Sequence, residues 1–421
     1  MSDKNKKRRR LTPGRAMVST VMLFFFLAFF LLFLKDFAWQ SLALSLVVPV
    51  IILFGSVGIT KLFPADTLLL SLTNFLCALG VLVLYRLDPD RGFTQAVNYG
   101  VGVAAMIGCT LLIRYLPSFR FVNWAFMLAS IGLLALPLVI GTERNGANSW
   151  ITLGGRSFQP SEIVKIALLI SMAHMLSRRK VIFTMGFAAI CVLILAVQND
   201  FGTALLYFGT ALVLGYASTG NLLLVGAGVG GAGAAVVLGN MIMPDKFARA
   251  MSRVEVWLDP WQDVQGAGYQ IVQGLIAMAN GGLWGVGLGA GNATVIPEHY
   301  NDFIFAVIVN EFGMLFGLIV ILMYAFIMIR GIMIARNTRT MFHALLATGC
   351  AAMIALQVFV IIGGNIKLIP LTGITLPFIS YGGTSLVSSL CIIGILQGVA
   401  ARNAAGIHED RELAMQGGGV R

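Results

Sequence analysis

Three stretches of this 421-residue chain gather side chains that can exchange protons or stabilise charge. The first runs from Asn145-Gly-Ala-Asn-Ser-Trp150 into Gln159-Pro-Ser-Glu-Ile-Val-Lys165. Glu162 and Lys165 are spaced i, i+3 and share a helix face, so they can pair. Pro160 suits a helix start because it lacks an N–H that would go unpaired there, and a carboxylate in the first turn suits the helix dipole. Such a pair either fixes a helix end or lines a polar cavity. The second stretch holds Arg253-Val-Glu-Val-Trp-Leu-Asp-Pro-Trp-Gln-Asp263, Gly266-Ala-Gly-Tyr-Gln270 and Pro297-Glu-His-Tyr-Asn-Asp302. Trp257 and Trp261 are residues that anchor at the lipid headgroup level, and Asp259 and Asp263 flank that anchor. Asp-Pro is a common turn starter, which accounts for Asp259 better than for Asp263. The third stretch, Leu371–Ser385, carries glycines, a proline and hydroxyls at the mouth of an apolar run. Broken helix at such a depth is tolerated only where it is buried or lines a cavity.

These groups sit in a chain that is 58% hydrophobic and 11% charged, less than half the charge of a soluble domain. Ionisable groups are costly in a bilayer and tend to mark function there. The apolar runs are Met17–Leu34, 40–60, 67–85, 94–113, 123–141, 161–177, 181–197, 201–218, 221–243, 303–329, 341–363 and 373–399. Most reach the length that crosses a bilayer as helix. The expectation is an all-α polytopic membrane protein of about twelve transmembrane helices, with a wet segment at 244–301. A basic tail (1–16) reads as cytoplasmic and is followed by no cleavage motif, so the first helix is retained. With the termini and every second loop inside, nineteen of 29 basic residues and five of 18 acids lie there, a net +14 against −3 outside. Arg114, Arg120, Arg178, Arg179, Lys180, Arg330, Arg336 and Arg339 all fall inside, as the positive-inside rule requires. The overall +11 therefore calls for no nucleic acid partner.

Other chemistries find no support. The five cysteines lie inside apolar runs and read as buried small hydrophobes rather than a disulfide or zinc framework. There is no His-Glu-x-x-His, Cys-x-x-Cys or phosphate-binding Gly-x-x-x-x-Gly-Lys motif. Gly285-Val-Gly-Leu-Gly-Ala-Gly291 lacks the strand and βαβ unit that a dinucleotide loop needs. Gly226–Gly233 contains Gly-x-x-x-Gly, a helix-packing pattern.

Taken together, Gly146-Ala-x-x-Trp150, Gln159-Pro-Ser-Glu162-x-x-Lys165, Asp200-x-Gly-Thr, Leu258-Asp-Pro-Trp-x-Asp263 with Gly266-x-Gly-Tyr-Gln270, Pro297-Glu-His-x-x-Asp302-Phe, and Pro370-x-Thr-Gly-x-x-Leu-Pro-x-x-Ser-Tyr-Gly-Gly-x-Ser385 resemble the SEDS family (shape, elongation, division and sporulation) over about residues 66–402. The resemblance implies a peptidoglycan glycosyltransferase polymerising lipid II at the outer face of the bacterial cytoplasmic membrane. It also implies a class B penicillin-binding protein as partner, beside lipid II and membrane lipids. It maps the family's essential acid onto Asp263 and implies that Trp150, Glu162, Lys165, Arg253, Gln270, His299, Asp302, Ser380 and Tyr381 line the substrate site. The core would span 62–402, with 17–61 an added helical pair and 403–421 a second cytoplasmic tail. Gln198-Asn-Asp200 departs from the family's frequent Gln-Pro-Asp but keeps the acid.

On that basis Asp263 is expected to act as general base toward a sugar hydroxyl, or to hold a divalent cation, Mg²⁺ or Mn²⁺. Lys165, Arg253 or such an ion would stabilise the pyrophosphate leaving group, and no nucleotide is required. Two other classes compete: a lipid-linked precursor flippase and a non-catalytic scaffold of a cell-wall synthase. Against the flippase, the acids cluster toward one side and no inverted repeat is evident.

Overall fold

The computed structural model describes residues 13–115, 123–144, 146–154, 156–242 and 244–417. The start of the basic tail, the loop with Arg120, Asn145 and the last four residues lie outside the described residues. The chain runs as α1 (Pro13–Asp36), α2 (Trp39–Leu53), a π-helical turn (Phe54–Gly58), α3 (Ile59–Leu62), α4 (Thr67–Leu87), α5 (Pro89–Tyr115), α6 (Asn123–Ala135) and α7 (Pro137–Ile140). Strands β1 (Thr142–Arg144), β2 (Ala147–Leu153) and β3 (Arg156–Phe158) follow, then α8 (Pro160–Ser177), α9 (Val181–Val197), α10 (Phe201–Thr219) and α11 (Leu222–Ile242). The remainder is α12 (Pro244–Leu258), α13 (Tyr269–Gly281), α14 (Ile304–Arg336), α15 (Met341–Asn365) and α16 (Gly383–Gly417).

Among the described residues, eleven helices are long and apolar enough to cross a membrane, and α9 is a shorter apolar helix of 17 residues. The protein is a multi-pass, all-α membrane protein, as its apolar runs predict. Local chemistry sets many helix starts. Asp66 caps α4 by accepting from Leu69 N (3.0 Å), and Asp200 caps α10 by accepting from Thr203 N (3.1 Å). Pro160 occupies the first turn of α8. At the last span the expected 373–399 gives way to a helix beginning at Gly383, because Leu371–Tyr381 is irregular backbone that folds back into the protein. The wet segment 244–301 contains two helices, α12 of 15 residues and α13 of 13, which make up about half of it. The three-stranded antiparallel sheet β1-β2-β3 was not expected; it forms where the chain turns back between α7 and α8.

The centre of the bundle is α4, α8, α15 and α16, with 83% of the most apolar window buried in α4 and in α16. Helix α16 lies close along α5 because Gly394 and Gly398 carry no Cβ; at Gly394 one would fall 2.4 Å from Met106 O. At the other extreme, α11 has no buried residue. Gly226, Gly230, Gly231 and Gly233 face open space, and only at Gly228 among these would a Cβ meet a neighbour, Leu212, so the expected close helix approach within Gly226–Gly233 is confined to that one position. Alternate helices deliver the loops to two ends. One end carries Arg114, Arg178, Arg179, Lys180, Arg336 and Arg339, together with Asp66, whose carboxylate receives Arg330 Nε (2.8 Å). The other carries the sheet, the 244–302 segment and residues 366–382.

Candidate functional site

The second end holds the candidate site residues; Glu162, Lys165, Arg253, His299 and Asp302 fall in three groups joined by the segment that carries Ser380 and Tyr381, and Asp263, Gln270 and Trp150 lie outside those groups. The first group is buried. Lys165 Nζ donates to Glu162 Oε2 (2.7 Å) and to Gln357 Oε1 (3.2 Å). Ser388 Oγ donates to the same Glu162 oxygen (2.5 Å). Only 1% of Lys165 and 7% of Glu162 are exposed, so the pair lies inside the bundle and not on an open wall. Gln357 and Ser388 went unrecognised in the sequence. A Gln in the middle of an apolar span was the available signal for the first.

The second group is Arg253 and Asp302. Arg253 Nη1 donates to Thr372 O (3.0 Å), and the guanidinium and the Asp302 carboxylate both face Gly373. Gly373 adopts φ +75°, a conformation that favours glycine. Burial pushes the Asp302 carboxyl up to about 7; Glu298 adds to the rise and Arg253 opposes it. An ordinary Asp titrates near ~3.9, so the folded protein keeps a proton there that the unfolded chain has released. That contribution to stability is complete below pH ~4 and is lost as pH rises through 7. Asp302→Asn is therefore expected to flatten the decline in thermal stability of the detergent-solubilised protein between about pH 4 and 7. A wild-type profile that climbs across this window would contradict the assignment.

The third group lines a cavity of about 260 Å³ bounded by Asp88, Arg91, Thr294, His299 and Tyr300. The Arg91 guanidinium lies 3.6 Å from the Tyr300 ring centroid and 5.7 Å from that of Tyr381, a cation–π arrangement. Asp88 holds Arg91 Nε at 3.0 Å. His299 Nδ1 lies 2.8 Å from Ile296 O, which fixes the ring. Arg91 and Tyr300 were not singled out in the sequence, since they meet across more than two hundred residues.

Segment 371–382 ties the groups together. Thr372 O takes Arg253, Thr375 O accepts from Gln357 Nε2 (2.8 Å), and Tyr381 N donates to Tyr300 O (2.9 Å). Ser380 is 3% exposed, and its hydroxyl donates to Asn301 O (2.7 Å) while accepting from Leu376 N (2.8 Å). It closes the segment on itself and on the 297–302 motif.

Asp263 stands apart, exposed on the turn between α12 and α13. Its Oδ1 accepts from Gly266 N (2.9 Å) and its Oδ2 from Ala267 N (2.8 Å). A Cβ at Gly266 would fall 2.1 Å from Oδ2, and one at Gly268 would fall 2.0 Å from Pro260 O, so the Gly-x-Gly that follows is what lets the turn wrap the carboxylate. Asp259 caps the turn through Trp261 N (3.1 Å). Gln270 Nε2 donates to Pro297 O (3.3 Å), linking the turn to the 297–302 motif. Trp257 Nε1 donates to Lys367 O (3.1 Å), anchoring α12 to the protein, whereas Trp261 is exposed. Trp150 sits half-buried in β2, opposite Thr142, and its carbonyl accepts from Thr142 Oγ1 (3.4 Å).

No group of three or more His, Cys, Asp or Glu side chains converges on a metal position among the described residues. Mg²⁺ is commonly held by one or two carboxylates together with substrate phosphates and water. A single exposed carboxylate, both of whose oxygens keep a free lone pair, suits that mode and not a complete protein cage.

Comparison with known proteins gives the chain its relatives. The family model for FtsW, RodA and SpoVE, described as "Cell cycle protein", matches residues 66–405. The chain is 34% identical over 384 residues to the peptidoglycan glycosyltransferase RodA of Mycobacterium tuberculosis, covering 82% of this chain and 80% of that protein. It is 33% identical over 368 residues to the stage V sporulation protein E of Bacillus subtilis, covering 81% and 98%. Among solved structures, a chain of a peptidoglycan synthase complex that coordinates polymerization and crosslinking aligns with TM-score 0.67 at 28% identity, covering 81% of this chain and 98% of that one. The rod shape determining protein RodA of Thermus thermophilus aligns with TM-score 0.57 at 27% identity, covering 80% and 97%. With its motifs, its helix order and these relatives in agreement, the chain belongs to the FtsW/RodA/SpoVE family.

Proposed function

We propose that the protein is a peptidoglycan glycosyltransferase that polymerises lipid II at the outer face of the cytoplasmic membrane, with both termini cytoplasmic. What carries the reading is the Asp263 turn: a solvent-facing carboxylate held by two backbone N–H groups, at the end of the bundle opposite the basic loops. The 4-hydroxyl oxygen of one sugar attacks C1 of the other, the C1–O bond to the pyrophosphate breaks, and the pyrophosphate leaves with the bonding pair. Asp263 takes the hydroxyl proton, a role whose effect is typically ~10²–10⁴-fold. Arg253, near the same turn in sequence and half-buried against Thr372 and Gly373, supports the leaving group's negative charge. Lys165 is neutralised by Glu162 inside the bundle, so it supports the wall formed by segment 371–382 instead of meeting the substrate. A divalent cation shared between Asp263 and the pyrophosphate would supply further charge neutralisation.

A second reading of the base rests on one observation: Asp302, with a carboxyl near 7, titrates where a base works best. It would act from the motif that Gln270 joins to the Asp263 turn.

The class B penicillin-binding protein is the proposed partner, since the product strands need crosslinking and the aligned synthase complex couples the two activities. The deciding assay follows glycan chains formed from purified lipid II by the full-length protein in vesicles, with and without that partner and divalent metal. Polymer without nucleotide is the expected outcome. Lipid II crossing the bilayer with no polymer formed would make the protein a flippase. Stimulation of a separate synthase with no polymer of its own would make it a scaffold.

A further inference from the structure

The helices α1 and α2 precede the family match, which begins at residue 66. They are not loosely appended. The rings of Phe25 and Phe75 lie 5.3 Å apart and those of Phe29 and Tyr85 6.2 Å apart, which seats α1 along α4. On the second helix, Pro49 is followed by the π-helical turn, which places Ser56 against the core. There Asn74 Nδ2 donates to Ser56 Oγ (2.8 Å) and Asn74 Oδ1 accepts from Tyr99 OH (2.7 Å), all three side chains buried. A buried polar contact of this kind has one satisfied geometry, so it fixes the height at which the pair docks.

That height decides where Lys35, in the last turn of α1, ends up. Its Nζ lies 3.3 Å from the place a Cβ on Gly289 would take, beside Arg86. Gly289 belongs to a loop folded around one carboxylate. Arg86 Nε meets Glu311 Oε1 at 2.8 Å, Gly289 N donates to Glu311 Oε2 (3.2 Å), and Arg86 Nη2 donates to Gly291 O (2.6 Å). Gly287 N donates to the Glu311 backbone carbonyl (3.0 Å). Gly285, Gly287 and Gly289 all have positive φ, so the loop holds a shape that glycine permits but does not enforce. Glu311 is fully buried, and Lys35 adds a second positive charge to its surroundings.

We propose that Lys35 is a positioning residue: the added helical pair holds the 285–291 loop, and through it the 297–302 motif, by placing this ammonium beside Gly289 and Arg86, in the field of the Glu311 carboxylate. Glycine supplies the curvature and the three charged side chains supply the restraint. The added pair thus contributes to the site's architecture from outside the family core.

Amide hydrogen exchange on the full-length protein in detergent, comparing wild type with Lys35→Met and Lys35→Arg, tests this without relying on any activity. Lys35→Met is expected to speed exchange at 285–295 about threefold, the size of a lost charge interaction on an exposed side chain, with α1 and α4 protection unchanged. Lys35→Arg should restore wild-type protection, which a purely structural loss would not. If the glycosyltransferase reading also holds, Lys35→Met should lower kcat more than it raises KM for lipid II. Unchanged exchange at 285–295 in Lys35→Met overturns the proposal whatever the activity does. Faster exchange across α1 as well would overturn it too, showing that the helix had come away.

Discussion

Asp263→Ala is expected to lower glycan polymerisation from lipid II by at least ~10²-fold while leaving the protein folded. The side chain is exposed, and its removal leaves the N–H groups of Gly266 and Ala267 to water, so the stability loss should resemble that of a lost cap, about 1 kcal/mol. Asp263→Asn separates the carboxylate's chemistry from its part in holding the turn. The amide keeps an acceptor for one N–H and preserves the turn, but it can neither take a proton nor carry charge to a cation. If Asp263→Asn is as inactive as Asp263→Ala yet melts like wild type, the charge is what matters. Activity of Asp263→Ala at the parental rate would remove the assignment and leave Asp302 as the base.

The second large effect is expected at Lys165. Replacing it by Met leaves Glu162 buried without a counter-charge, a change that costs about 3–5 kcal/mol in a low-dielectric interior. Ser388 still donates to that carboxylate but cannot neutralise it. The loss should be visible as a drop in thermal stability in detergent. The double variant Glu162→Gln/Lys165→Met should recover most of it, because a neutral pair of similar size removes the desolvation penalty along with the attraction. If Lys165 met the substrate directly, the double variant would be stable but inactive; if the pair serves the wall, activity should return with stability. A Lys165→Met protein as stable as wild type would mean that the pair is not buried as described.

The bundle itself was legible in the sequence, because its organisation is written in hydropathy and in charge. A span needs only length and apolar side chains, and Arg178, Arg179 and Lys180 mark a loop end without any tertiary information. The pairing of Glu162 with Lys165 was equally legible, since a helix brings i and i+3 together regardless of context. Its burial was not, because that depends on Gln357 and Ser388, which reach it from α15 and α16. The break in α14 at Gly313 (φ +87°) lies in an unremarkable apolar run; it exists because Met314 N and Leu315 N donate to the carbonyls of Gly282 and Leu283. Likewise Arg91 reads as one more loop cation until Tyr300 is brought beneath it. What the sequence left hidden is what arises between segments far apart in the chain. Motif spacing points to the residues of the site, whereas their grouping around segment 371–382 depends on tertiary contacts.

That segment also has a consequence for biogenesis. Arg253, Tyr300, Asn301 and Gln357, which it joins, all precede it in the chain and leave the ribosome first. The spans can therefore enter the membrane one after another while these residues are linked only in part, through Asn365 Nδ2 donating to Asp302 O (2.6 Å) and Trp257 Nε1 donating to Lys367 O (3.1 Å). Their remaining contacts, with Thr372, Thr375 and Tyr381, form when residues 371–382 arrive and α16 is laid against α5. Until then Glu162 also lacks Ser388, its partner on α16. A nascent chain halted before residue 371 would hold most of its spans, the Lys165–Glu162–Gln357 contacts and the Asp263 turn, but neither segment 371–382 nor Ser388, so the machinery is completed close to the end of synthesis.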